Sequence, residues 1–139
     1  MSPTDRRLVT EAAALLCVAR AGLWLLPLRT LRRALDWYGR RDPAPTPVPV
    51  VLPAKVAWAI AALSRRLPGP MTCLVQALAA DTLLRRYGYA PDLRIGVRDQ
   101  RDDSKPLEAH AWIECDGTVI VGNLDDLQRF AVLSDPRQS

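Results

Sequence analysis

The chain changes its hydrophobic period at Gly88, and that change limits the folds open to it. Before Gly88, apolar residues recur at the three- and four-residue spacings of helices. After it, "PDLRIGVRD" alternates Leu93, Ile95 and Val97 against Arg94, Gly96 and Arg98, the period of two of a half-buried strand. "EAHAWIEC" reads as a second strand, Asp116 and Gly117 as a hairpin turn, "TVIVGN" as a third strand and "RFAVL" as a short fourth. Helices followed by hairpin-linked strands describe an α+β protein.

On the helical side, Leu8, Ala12, Leu15, Ala19, Leu23 and Leu26 fall on one stripe, and Pro27 ends or bends that helix. "LRTLRRALDWYGRR" predicts a second helix with Leu28, Leu31 and Leu35 inward and Arg29, Arg32 and Arg33 solvated. Residues 42–50, "DPAPTPVPV", carry a proline at every second position from Pro43 to Pro49, which disfavours helix and makes a stiff, extended connector. A third helix follows Pro53 with Val56, Ile60 and Leu63 inward, closed by Pro68, Gly69 and Pro70. A fourth begins with Thr72 as N-cap and Cys73 as its first residue, and Gly88 is its stop. Its buried side is expected to be Leu74, Ala77, Leu78, Leu83 and Leu84. The organisation is therefore an N-terminal helical region with its connector, 1–53, and a core, 54–139.

Composition removes several classes of function. Three cysteines far apart in sequence, with one histidine in the whole chain, exclude a zinc site and a disulfide framework, and reduced thiols fit a cytoplasmic protein. The net charge of +4 rests on arginine, without the aromatic-interleaved basic stripe or motif of a nucleic-acid binder. The apolar run from Ala12 to Leu28 is shorter than the roughly 20 residues of a membrane span and carries Arg20 at its centre. Weak peripheral membrane contact stays open, because amphipathic helices with basic flanks lie on lipid surfaces.

Cysteine chemistry needs a thiolate, an imidazole to exchange its proton and a group that orients the imidazole. Cys73 stands at the first turn of a helix, where the dipole and unpaired backbone N–H groups favour a thiolate and a developing oxyanion. A buried, inert thiol is the competing reading. His110 shares a strand face with Trp112 and Glu114, opposite Ala109, Ala111, Ile113 and Cys115. A hydrogen-bonded structural histidine is its competing reading, and core packing is the simpler role for Trp112. Pairing across the Asp116–Gly117 turn sets the end of the third strand near His110, which favours Asn123 as the orienting group, with Asp125 or Asp126 in reserve.

"CLVQALAADTLLRRYGYAPDLRIGVR", then "EAHAWIECDGTVIVGN" and "RFAVL", resemble the lasso peptide biosynthesis B2 proteins, transglutaminase-like cysteine proteases that remove leader peptides. The resemblance covers residues 55–133. It implies a papain-like or transglutaminase-like core with the nucleophile helix packed on a small antiparallel sheet. It also implies Cys73 as nucleophile, His110 as general base and acid, and the residue after "VIVG" as orienter. The family commonly has Asp there, where this chain has Asn123 with Asp125 two residues on; an amide accepts an N–H bond but brings no negative charge.

The implied reaction is hydrolysis of the bond between leader and core of a lasso precursor peptide in the bacterial cytoplasm, without metal or cofactor. Because residues 1–53 read as helices and not as a strand-rich recognition domain, the expected form is the separate peptidase. Its implied partners are the precursor's leader region, a recognition protein called B1 that docks on the N-terminal helices, and the lasso cyclase. The rival functions are transglutaminase-like acyl transfer on another amide and non-catalytic peptide binding.

Overall fold

The helical spacing that begins at Leu8 folds as α1, Pro3–Leu25, whose Leu8, Ala12, Leu15, Leu16 and Ala19 are buried. In this computed structural model, residues 3–40, 53–67, 72–99, 107–115, 117–122 and 131–132 are described. The expected connector at 42–50, the proline corner at 68–70 and residues 100–106, which lie between the first two expected strands, fall outside them.

Pro27 has no N–H to continue α1, and the chain turns there into α2, Leu28–Arg40. The Gly22 carbonyl accepts from Leu26 N at 2.7 Å and the Pro27 carbonyl from Leu31 N at 3.1 Å, closing one helix and opening the next. A Cβ on Gly22 would run into the Leu31 side chain, so glycine lets α2 fold back closely on α1.

The spacing on α2 differs from expectation in two respects. Its inward stripe is Leu31, Arg32, Leu35 and Gly39, so Arg32, expected in solvent, is only 8% exposed. Leu28, expected inward, sits on the corner and is exposed, as is Leu26 at the end of the α1 pattern. The corner turns both leucines away from the core before α2 settles on its neighbours.

Helix α3, Pro53–Arg66, starts on a proline, whose fixed φ suits a first turn. It buries Val56, Ala59 and Ile60. Helix α4, Cys73–Arg86, is the centre of the fold: α1, α2, α3 and the sheet all pack on it. Every residue from Ala77 to Leu84 is buried, polar Asp81 and Thr82 included. Thr82 Oγ1 donates to the Leu78 carbonyl at 3.0 Å, and Asp81 Oδ1 faces Arg85 Nε at 3.4 Å as an ion pair one turn along the helix, without a hydrogen bond between these two atoms.

Gly88, at φ +89°, ends α4, with Gly88 N donating to the Arg85 carbonyl and Tyr89 N to the Leu84 carbonyl, the paired bonds of a Schellman stop. Near this end Arg86 Nη1 donates to the Tyr38 carbonyl at 3.1 Å, and its guanidinium lies 4.4 Å from the Tyr38 ring centroid.

The strands are β1, Asp92–Asp99; β2, Leu107–Cys115; β3, Thr118–Val121; and the two-residue β4, Ala131–Val132. They form one antiparallel sheet in the order β3-β2-β1-β4. Leu93, Ala111, Ile113 and Val121 point to the helices and join Leu8, Ile60, Leu83 and their neighbours in one apolar cluster.

Leu83 is fully buried in α4, and truncating it leaves a cavity that the packed helices fill only in part. Leu83→Ala is expected to cost about 2–5 kcal/mol in a urea titration. Burial, followed by the neighbouring Glu11 carboxylate, raises the Tyr87 phenol above its ordinary value. The unfolded chain therefore loses this proton first as pH rises above about 10, and stability falls there. Tyr87→Phe is expected to flatten that alkaline decline of the melting temperature.

Candidate active site

Cys73 is the first residue of α4 because Thr72 caps the helix. Thr72 has extended φ −67° and ψ 167°, its hydroxyl accepts from Val75 N at 3.3 Å, and its carbonyl accepts from Gln76 N at 3.0 Å. The N–H groups of Cys73 and Leu74 are left without an intrahelical acceptor, as the geometry of any helix start requires. They stand at the first turn with Cys73, at the positive end of the dipole, where a developing oxyanion would find donors. Cys73 is half-buried and packs against the apolar cluster. Cys115 is buried in β2 and Cys17 is exposed on α1.

His110 lies in β2, which packs against α4. Alternation gives Ala111 and Ile113 to the helix-facing core and places His110 with Trp112 on the other face of the strand. The two rings stack, 19° from parallel with centroids 6.0 Å apart, and Trp112 is only 3% exposed. Across the β1 side His110 pairs with Gly96, which contributes no side chain beside the imidazole.

The β3 side sets the ring's orientation. Cys115 pairs with Thr118 and Glu114 with Val119, but Ile113 pairs with Val121, so Ile120 is an extra residue and β3 is bulged there. Without that bulge, an unbroken count from the turn would set Val121 opposite Trp112; the extra residue sets Gly122 there, against the Ala111 carbonyl and Trp112. The contact made is His110 Nε2 to the Gly122 carbonyl at 2.5 Å. A carbonyl only accepts, so Nε2 carries the hydrogen and Nδ1 is the nitrogen that takes or returns a proton. The bond holds in both protonation states of the ring, which keeps the imidazole in one orientation through proton exchange.

Gly122 is a residue of the candidate site to which reading the sequence gave no role. Its φ is +85°, and a Cβ would stand 2.7 Å from the Ala111 carbonyl oxygen and 3.0 Å from Trp112 Cβ. Only glycine lets the chain pass β2 this closely and turn its carbonyl to the ring. The glycine closing "TVIVGN" was a visible signal of close backbone approach. The expected orienters Asn123, Asp125 and Asp126 lie outside the described residues.

Glu114 and Arg94 form an ion pair farther along the same face, where β1 and β2 run side by side. With both residues partly in water, it contributes little beyond local register.

His110 is the only histidine, so its ring nitrogens are read directly by long-range proton–nitrogen correlation. The neutral ring is expected to show a protonated Nε2 and a bare Nδ1; the opposite tautomer would break the assignment. Gly122→Ala is expected to lower stability by about 1–3 kcal/mol through the strained backbone and to shift both nitrogen signals.

Residues 13–135 match the family model described as the Transglutaminase-like superfamily. No curated protein and no solved structure matches the chain.

Proposed function

The chain belongs to the transglutaminase-like superfamily, a fold of cysteine proteases and acyltransferases, and on that premise we propose that it is a cysteine peptidase that removes the leader from a lasso precursor peptide. The observation that carries the reading is the imidazole of His110, held at Nε2 by the Gly122 carbonyl so that Nδ1 is the proton-exchanging atom. Cys73 at the capped start of α4 supplies the thiol.

In the proposed reaction, Nδ1 takes the Cys73 proton and the sulfur attacks the carbonyl carbon at the leader–core junction. The negative oxygen is met by N–H groups of the first turn of α4. His110 then protonates the departing amine as the peptide bond breaks, leaving a thioester on Cys73. Water attacks the thioester, gives its proton to Nδ1 and releases the carboxylate, and the thiol recovers its proton. Asn123 or Asp125, the orienters that the resemblance implies, would share the Nε2 hydrogen with the Gly122 carbonyl. A separate leader-recognition protein presents the peptide, and the lasso cyclase receives the core.

Acyl transfer is the second reading, favoured by the superfamily itself, because the same thioester can be opened by an amine. Incubating precursor peptide with the chain and a recognition protein, followed by mass spectrometry, separates the two. Hydrolysis yields free leader with a new carboxylate, and transfer yields a linked product. Cys73→Ala is expected to reduce processing to background and His110→Ala to slow it by about 10²–10⁴-fold. Processing that survives Cys73→Ala would remove the nucleophile from the scheme and leave peptide binding as the function.

A further inference from the structure

The inner faces of α1 and α2 are used by the core, but their outer faces carry an apolar surface that the core does not explain. On α1, Ala14, Cys17, Val18, Ala21, Trp24 and Leu25 follow helical spacing and are all exposed, so an uncharged stripe runs along the helix to the corner. At the corner Trp24 is 86% exposed, Leu25 69% and Leu26 44%. Contiguous apolar surface of this kind marks contact with a lipid or protein.

Beyond the corner, the outer stripe of α2 is Arg29, Arg33, Trp37 and Arg40, spaced by four, four and three residues and exposed throughout. The single acidic residue of α2, Asp36, is half-buried at the margin of that stripe. Tryptophan prefers the headgroup level of a bilayer, leucine the acyl boundary, and arginine the anionic headgroups.

The α1 segment Asp5–Leu25 has the length and hydropathy of a helix able to cross a membrane. However, its Leu8, Ala12, Leu15, Leu16 and Ala19 are committed to the core, so in this fold α1 can lie against a bilayer but not span it. We propose that the α1–α2 corner docks the chain peripherally on an anionic membrane surface. Trp24 and Leu25 enter the boundary, and Arg29 and Arg33 meet the headgroups. The proposal is independent of the chemistry assigned to Cys73 and His110.

Co-sedimentation of the full chain with vesicles of mixed phosphatidylglycerol and phosphatidylcholine tests it, with pure phosphatidylcholine vesicles as the neutral arm. Binding is expected in the anionic arm and is expected to weaken with added salt. Replacing Arg29 and Arg33 together by Gln is expected to weaken it about thirtyfold, at about fivefold per arginine near the surface. Replacing Trp24 and Leu25 together by Ser is expected to abolish it while the melting temperature holds, since both side chains stand outside the core. The proposal is overturned if anionic vesicles do not bind, or bind equally well to both double variants. It is also overturned if, without vesicle binding, the Trp24 and Leu25 variant turns a dimer into a monomer or loses a purified recognition protein. Those results would give the face to self-association or to a protein partner.

Discussion

The rest of the structure depends on the burial of α4 from every side. A helix with one apolar stripe needs one neighbour, whereas the stretch from Ala77 to Leu84 is closed off all round by α1, α2, α3 and the sheet. Small side chains make this possible. Ala77, Ala79 and Ala80 let neighbouring elements approach closely, while Leu78, Leu83 and Leu84 fill the space between layers. The two polar residues in the stretch remain because each finds a partner one turn away. With its middle held in this way, the start of α4 is a fixed point, and Cys73 occupies it.

The sheet adds a second fixed point by a different device. The bulge at Ile120 sets Gly122 opposite Trp112, and from there the Gly122 carbonyl meets Nε2 of His110. Trp112 stacks on the same ring, and Gly96 leaves its other side free of a side chain. Among the described residues, the imidazole is thus positioned by the Gly122 backbone and by the Trp112 ring. This explains why a search for polar partners along the sequence did not find Gly122. Orientation by a carbonyl supplies geometry but no formal charge, so any stabilisation of the imidazolium by charge would come from elsewhere in the site.

Much of the architecture was legible beforehand. The change of period at Gly88, the N-cap at Thr72 and the turn glycine at Gly117 each act through local backbone preferences, and helices and strands fall where those preferences put them. Two of the readings that failed concern direction at a junction, and a third, Cys17 as a packing residue, fails because that position lies on the exposed side of α1. Arg32 faces inward and Leu28 outward because the α1–α2 corner, closed by the Gly22 and Leu31 contact, sets the rotation of α2. Residues 13–135, the span that matches the superfamily, include most of α1 and all of α2, in keeping with one apolar cluster that runs from Leu8 to Val121.

The amino-acid sequence alone determined the order of elements, the position of Cys73 at a helix start and of His110 on a strand, because periodicity and capping operate within a few residues. Tertiary structure alone decided that α4 is enclosed on all sides, that the Gly122 carbonyl meets the imidazole, and that the apolar outer stripe of α1 is left exposed. Those outcomes depend on how separate elements rotate and slide against one another. A single bulged residue or one close glycine contact changes them without altering the local pattern on either side.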